Sequence, residues 1–212
     1  MNTFADQLLV LVFLLNFMVL GTSRINIAIR VVAVQGVALG LIPSILHDFS
    51  WHLFLISAGM IAAKGVIIPT LLTKAVRSIG INREEEPYLG YVPTMLIGAV
   101  ATALAFIFAE QLPLAPQHKE LLFVPAAIAT LLTGCLLLIT RKKAISQVTG
   151  YLILENGIFI FGLLLADSMP VMVEAGALLD LLVGIFVMGI IINQISQEFS
   201  SIDTSRLTSL KE

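Results

Sequence analysis

The sequence predicts an all-α, polytopic membrane protein with about seven transmembrane helices, and this prediction depends on its composition and on the spacing of its polar residues. Of its 212 residues, 58% are hydrophobic and 12% are charged, and the mean hydropathy is +1.00. A soluble domain carries about 25% charged residues, roughly twice this fraction. The apolar residues also form long stretches with short polar breaks, which leaves no soluble domain of useful size.

Seven apolar stretches are long enough to cross a bilayer as an α-helix, which takes about 20 residues. Short breaks such as "GTSRIN", "RKKA" and "ADSMP" predict tight turns between neighbouring helices. The longest break, "TKAVRSIGINREEEPY", contains a charge run that we interpret as a solvated loop. The predicted spans cover residues 4–22, 26–46, 51–73, 88–110, 120–140, 144–166 and 170–195.

Prolines interrupt three of these spans. Pro43, Pro69 and Pro93 lie in the second, third and fourth. Because proline has no N–H and its ring clashes with the preceding turn, each is expected to kink its helix. Each is also expected to free a carbonyl group that neighbouring side chains must satisfy.

The basic residues predict the orientation of the chain. With the N-terminus outside, ten of the twelve Lys and Arg residues fall on one side of the membrane, Lys119 falls on the other, and Lys64 lies within a span. Loops on the cytoplasmic side are enriched in Lys and Arg. The distribution therefore predicts an outside N-terminus and a cytoplasmic C-terminus.

The chain has few residues suited to metal binding or covalent catalysis. Its one cysteine, Cys135, excludes an internal disulfide and a cysteine-built zinc or iron–sulfur site. Its three histidines lack ligand spacing, and no nucleophile–base set or phosphate-binding loop is present. We therefore expect this chain neither to be an enzyme on its own nor to bind a cofactor, and nothing in it indicates nucleic-acid binding.

Three ionisable residues, Lys64, Glu155 and Asp180, fall deep within predicted spans. At 1.5 Å per residue, all three lie roughly 15–20 Å from a membrane surface. A charge at the bilayer centre costs about 2.5 to 3.5 kcal/mol on insertion scales, so these side chains should face the protein interior or a partner subunit. Desolvation and pairing act on such groups in opposite directions, so small rearrangements can move a proton between them. We therefore predict a proton relay.

Further polar residues extend this path, and small residues flank one of the acids. The polar residues all lie within predicted spans: Glu174, Gln35, Asn156 and Tyr151. Gly176 and Gly184 lie four residues before and after Asp180, which predicts close packing of another helix on that stripe. A structural alternative stays open for each of these residues, since a buried polar side chain can also serve only to hydrogen-bond two helices together.

Spans 1–3 and 5–7 have the same order of features, which predicts an internal repeat. Each unit has an apolar helix, a short basic turn, a helix with a central polar residue and a charged third helix. Alignment places Gln35 on Asn156, with Lys64 and Asp180 as counterparts. Both units start outside, so the repeat is parallel rather than inverted.

Three stretches of the chain resemble a known family of membrane subunits. "GYLILENGIF", "GMIAAKGVIIPTLL" and the C-terminal "SIDTSRLTSLKE" are similar to component E of hydrogenase 4, a membrane subunit of formate-hydrogenlyase-type group 4 nickel–iron hydrogenases. The similarity runs nearly end to end. Spans 5–7 also resemble the K subunit of respiratory complex I, with "RKK" as its basic turn, Glu155 as its first acid and Asp180 in place of its usual second glutamate.

These resemblances divide a single integral membrane domain, residues 1–212, into four parts. The parts are an N-terminal three-helix unit (1–87), a linking helix 4 (88–119), a K-subunit-like three-helix unit (120–199) and a cytoplasmic tail (200–212).

The resemblance implies a non-catalytic subunit of a proton-translocating membrane arm in the bacterial inner membrane. Ni–Fe and iron–sulfur centres would then lie in partner subunits, and Glu155, Asp180 and Lys64 would be relay sites. The implied partners are antiporter-like and complex I-like membrane subunits, peripheral hydrogenase subunits and lipid. Two alternatives stay open: a subunit of a multi-subunit cation/proton antiporter, which also contains K-subunit-like chains, and a purely structural membrane anchor.

Overall fold

The described part of the chain is helical, apart from turns and an isolated antiparallel bridge between Arg24 and Arg83. The structure is a computed structural model that describes residues 2–46, 51–79, 83–84, 87–112, 122–164 and 189. In chain order its elements are α1 (Asn2–Gly21), α2 (Ile25–Leu46), α3 (Trp51–Met60), a π-helical segment (Ile61–Ile67), α4 (Ile68–Ile79), α5 (Tyr91–Gln111), α6 (Phe123–Thr140) and α7 (Ala144–Leu163). The segments α3, π-helical and α4 follow one another without a break and form the third span.

Six helices of the described part are long and apolar enough to cross a membrane, which confirms the all-α, multi-pass prediction. The third span ends at Ile79 rather than at residue 73. It continues because its last turns are amphipathic, with Val76 buried and Lys74 and Arg77 exposed. The predicted seventh span, 170–195, lies outside the described residues except for Gly189, and the orientation stays a prediction.

The prolines of the second to fourth spans occupy different positions in their helices. Pro43 lies inside α2, as expected. Pro93 lies in the first turn of α5, where a missing N–H costs little, so the kink expected at Pro93 is wrong. Pro69 follows the π-helical segment, and the hydroxyl of Thr70 donates to the Val66 carbonyl at 2.7 Å. The Thr70 hydroxyl thus bonds a carbonyl in the turn before Pro69, although not the Gly65 carbonyl that Pro69 itself leaves without an N–H donor.

Four of the helices pack in a closed ring. Helix α1 contacts α2, α2 contacts α7, α7 contacts α6, and α6 contacts α1. The third span packs against α2, and α5 packs against α1 and α6. The α6–α7 contact is closest, since a Cβ at Gly134 would lie 2.5 Å from the backbone nitrogen of Leu154. Small residues at such contacts let helix backbones approach each other.

The core of the bundle has two apolar clusters with a polar layer between them, as α2 and α7 show. On α2, for example, Ile29 belongs to one cluster and Ile42 to the other, with Gln35 between them. On α7, Ile153 and Ile160 lie on either side of the polar residues in the same way. The polar layer contains these buried residues: Asn16, Gln35, Lys64, Thr130, Glu155 and Asn156.

The loop before α5 departs from the sequence prediction. We interpreted its charge run as solvated, but Glu84 is 3% exposed, so that prediction is wrong at this residue. Its backbone N–H donates to the Ser23 carbonyl at 2.9 Å, and its carbonyl accepts from the Tyr91 hydroxyl at 2.5 Å. Glu84 is buried because it fills a gap between helix ends that only the folded bundle creates.

Candidate functional site

A lysine and a glutamate meet in the polar layer of the bundle. The Lys64 Nζ lies 3.7 Å from the Glu155 Oε2, and the two side chains are 5% and 2% exposed. Lys64 belongs to the π-helical segment and Glu155 to α7. The structure therefore brings together two of the three charges that the sequence predicts at this depth.

A close helix approach lets Lys64 reach the interior. A Cβ at Gly36 of α2 would lie 2.7 Å from the Lys64 Cβ, so a larger residue there would collide with it. The π-helical segment ends where the Ile68 N–H donates to the Ala63 carbonyl, five residues back. Such widened turns occur frequently at functional sites. The segment and the glycine together place the lysine opposite α7.

Four uncharged side chains continue from Lys64 as one hydrogen-bonded chain, which we call the polar chain. The Lys64 Nζ donates to the Asn156 Oδ1 at 3.4 Å. The Asn156 Nδ2 donates to the Gln35 Oε1 at 3.2 Å, and the Gln35 Nε2 donates to the Asn16 Oδ1 at 2.9 Å. The Asn16 Nδ2 donates to the Thr130 Oγ1, also at 2.9 Å. Each of the four ring helices contributes one of these uncharged residues.

The polar chain offsets part of the cost of burying the ion pair. Its members and Glu155 are each at most 5% exposed. A buried ion pair is tolerated only where further hydrogen bonds satisfy its polar atoms, and removing one partner typically costs about 3–5 kcal/mol. Each buried amide left without a partner costs about 1–3 kcal/mol more. These side chains therefore act as one unit, and each depends on its neighbours.

Comparison with known proteins assigns this chain to a family. It is 30% identical to hydrogenase-4 component E of Escherichia coli over 162 residues, which are 76% of this chain and 74% of that protein. It belongs to the hydrogenase-4 component E family. Hydrogenase-4 component E of Shigella flexneri matches to the same extent. An uncharacterized protein of Mycobacterium tuberculosis is 31% identical over 187 residues, 87% of this chain and 85% of that protein.

No family model matches the chain, and no solved structure does. The family assignment confirms the resemblance that the sequence motifs predicted. The similarity of residues 120–199 to the complex I K subunit stays a prediction.

Several predicted site residues of this component E family member can now be placed. Gln35 and Asn156, which the repeat alignment matched, hydrogen-bond to each other. Tyr151 is half-buried on α7, one turn before Glu155. The remaining predicted site residues lie outside the described part of the chain: Asp180, Glu174, Gly176 and Gly184. Their roles in a relay or in packing stay predictions.

Sequence reasoning missed two members of the polar chain, Asn16 and Thr130. Asn16 is the one amide in the apolar run "LLVLVFLLNFMVL", and that isolation was a usable signal. Thr130 gave a weaker signal, because a threonine hydroxyl within a helix often bonds a carbonyl of its own preceding turn. Thr149, for example, donates to the Ile145 carbonyl.

A second buried cluster closes the end of the bundle where α7 begins. The Glu84 Oε1 accepts the backbone N–H groups of Lys142 and Lys143, each at 3.2 Å. Its Oε2 accepts the Ser146 hydroxyl at 2.6 Å. The first N–H groups of a helix have no partner within the helix and carry partial positive charge. Glu84 therefore caps α7 from a distant loop.

Arg141 ties this end of the bundle to α1. Its Nη2 donates to the Leu20 carbonyl at 2.8 Å, and its guanidinium lies 4.4 Å from the Tyr91 ring centroid. Burial lowers the pKa of Arg141 from its ordinary value, but a guanidinium stays charged at physiological pH. Arg141 and Glu84 also line a cavity of about 20 Å³, which is room for about one water molecule.

Proposed function

We propose that this chain is a non-catalytic membrane-arm subunit of a hydrogenase-4-type complex in the bacterial inner membrane, where it takes part in proton translocation coupled to electron transfer. Membership of the hydrogenase-4 component E family supports the assignment to a complex. The buried Lys64–Glu155 pair in the polar layer is the observation that carries the role in translocation. Ionisable residues within a bundle of membrane helices commonly mark ion paths.

The Lys64 Nζ and the Glu155 Oε2 lie 3.7 Å apart, so proton exchange between them needs a slightly closer approach or one bridging water. Transfer of a proton from the Lys64 Nζ to the Glu155 Oε2 converts an ion pair into a neutral pair, and the reverse transfer restores it. Both states avoid an isolated buried charge, so the exchange does not incur the large penalty of an unpaired ion. A small movement of the π-helical segment then changes how the proton is shared. Asp180 is proposed as a third relay site.

The redox chemistry belongs to other subunits in this proposal. Ni–Fe and iron–sulfur centres are expected in peripheral partners, and antiporter-like and complex I-like subunits are expected beside this chain in the membrane. Helix α5 offers a surface for such neighbours or for lipid, since it exposes Val92, Leu96 and Val100 among other apolar residues.

The test uses the assembled complex in proteoliposomes. Glu155→Gln keeps the shape of the side chain and removes its charge, so we expect redox turnover to continue while proton uptake falls to about a tenth or less, as for loss of a proton-transfer group. Glu110→Gln is the matched control, because Glu110 is an exposed acid at the far end of α5, and both activities should stay at the parent level.

A structural anchor is the competing function, and one observation favours it. The three amides and Thr130 of the polar chain are joined by hydrogen bonds, which by themselves would lock four helices together. In that case Glu155→Gln, once assembled, leaves both turnover and proton uptake unchanged. That result would contradict the proposed role in translocation.

A further inference from the structure

The donors and acceptors of the polar chain follow one another in a single direction, and Lys64 determines that direction. An ammonium group has three donors and no acceptor, so Asn156 must turn its Oδ1 towards Lys64. Its Nδ2 is then left for Gln35, and Gln35 in turn has only its Nε2 left for Asn16. Every amide therefore turns its oxygen towards Lys64 and its nitrogen towards Thr130.

Because of this direction, the Thr130 end of the polar chain affects the Lys64–Glu155 ion pair. The Asn16 Nδ2 needs an acceptor, and the Thr130 Oγ1 is that acceptor at 2.9 Å. Bonds in such a row polarise one another in a low-dielectric interior, so each amide held in place strengthens the next. An amide that loses its acceptor can rotate, and its rotation weakens the hydrogen bond to the next amide. The effect reaches the Asn156 Oδ1, which accepts from Lys64.

The type of residue at this end matters as well. A hydroxyl can either accept or donate a hydrogen bond. When Lys64 gives its proton to Glu155, one N–H bond breaks, one O–H bond forms, and the resulting amine gains a lone pair. This amine can accept a hydrogen bond from the Asn156 Nδ2. Every amide of the polar chain can then turn its nitrogen towards Lys64 and its oxygen towards Thr130, which is the reversed direction. Thr130 serves both directions, because its hydroxyl can donate to the Asn16 Oδ1 in the reversed one.

We propose that Asn16 and Thr130 are positioning residues for Lys64. They hold the polar chain in the direction that keeps the Lys64 ammonium beside Glu155, and the Thr130 hydroxyl lets the chain reverse when the proton moves. This inference rests on the proposed function, since it assigns the residues that control the same ion pair.

The test compares Thr130→Ser with Thr130→Ala in the assembled complex. Both variants lose the same methyl group, and only the first keeps the hydroxyl. Protons taken up per electron transferred should stay at the parent value in Thr130→Ser and fall to about half or less in Thr130→Ala, because only the alanine breaks the row of bonds. Thr130→Val, which keeps the shape without the hydroxyl, serves as a second removal if the alanine variant does not assemble.

Thr133→Ser and Thr133→Ala are the matched controls. Thr133 is a buried threonine on the same helix, less than one turn away, and it is not one of the hydrogen-bonded residues of the polar chain, so it reproduces the packing loss while leaving those bonds in place. Both controls should keep the parent proton-to-electron ratio. Equal ratios for the serine variant and the hydroxyl-free variants of Thr130 would overturn the inference.

Glu155→Gln in the same preparation separates this result from failure of the proposed function. If Glu155→Gln abolishes proton uptake while Thr130→Ala behaves like Thr130→Ser, only the positioning role is wrong. If Glu155→Gln leaves proton uptake intact, the proposed function fails, and the positioning role fails with it.

Discussion

Lys64 reaches Glu155 because a glycine stands opposite it on α2. The Cβ of any other residue at position 36 would lie 2.7 Å from the Lys64 Cβ and 3.3 Å from its carbonyl carbon. Real Cβ atoms do not come this close to such neighbours, so the π-helical segment would have to move. Since the Lys64 Nζ already lies 3.4 Å from the Asn156 Oδ1, a small outward movement would break that contact.

Gly36→Ala is therefore expected to weaken both the fold and the coupling. Overpacking of this kind costs about 1–3 kcal/mol, and proton uptake per electron should fall because Lys64 moves away from its partners. Unfolding can be followed with a thiol-reactive dye, since the single cysteine, Cys135, is half-buried. The melting temperature and the proton-to-electron ratio are the two measurements.

Gly59→Ala is the control for this change. Gly59 lies in α3, and a Cβ there would meet no neighbouring atom of the described residues within 4 Å. An alanine in a helix interior stabilises it by about 0.5–1 kcal/mol relative to glycine, so the melting temperature should stay or rise. A Gly36→Ala protein as stable and as well coupled as Gly59→Ala would show that the contact does not constrain Lys64.

At the scale of elements, α7 is the helix that connects the Glu84 cluster at the bundle end with the Lys64–Glu155 pair in the polar layer. Its first turn is capped by Glu84, and its middle carries Glu155 and Asn156. The Glu84 backbone is bound in turn to the α1–α2 turn through Ser23 and to the start of α5 through Tyr91. The position of α7 is thus fixed at the bundle end, about eleven residues or 16 Å along the helix from the ion pair.

Glu84→Gln is expected to loosen the start of α7. The variant keeps the side-chain shape but places an NH₂ group among the donors of Lys142, Lys143 and Ser146. Loss of a helix cap costs about 1–2 kcal/mol, and for a chain of this size that lowers the melting temperature by about 2–8 °C. The same dye measurement reports it, with the exposed Glu110→Gln as control. An unchanged melting temperature would mean that water replaces the cap at no cost.

At the scale of the whole molecule, hydropathy predicted the helices but not their arrangement. The apolar stretches predicted five of the six described spans to within three residues at each end, and the third span was predicted six residues too short. The ring of α1, α2, α7 and α6 was not predictable, because a membrane helix is apolar both towards lipid and towards its neighbours, so no apolar stripe marks the inner face. Only the polar residues break this uniformity.

The polar residues were informative where they were isolated and ambiguous where they were not. Lys64, Glu155 and Asp180 share one depth, which predicted that their side chains face the interior or a partner subunit, and the structure brings the first two together. Glu84 lies in the charged run "REEE", and nothing in the sequence marks this acid as a buried residue. Its burial depends on loop and helix ends that are distant in sequence and meet only in the folded bundle.

The orientation of the bundle is the property of the whole molecule that most needs a test. Glu110 and Lys142 are exposed at opposite ends, since α5 begins beside the end of α6, where the Tyr88 N–H donates to the Thr140 carbonyl. Basic residues gather at the Lys142 end, and such ends face the cytoplasm. In a Cys135→Ser background, a membrane-impermeant maleimide should label Glu110→Cys in cells with a permeabilised outer membrane. Lys142→Cys should react only once the inner membrane is opened. The reverse pattern would place the basic end outside. Labelling of both cysteines from outside would mean that the chain inserts in two orientations. Either result would contradict a single cytoplasmic end on which the redox subunits dock.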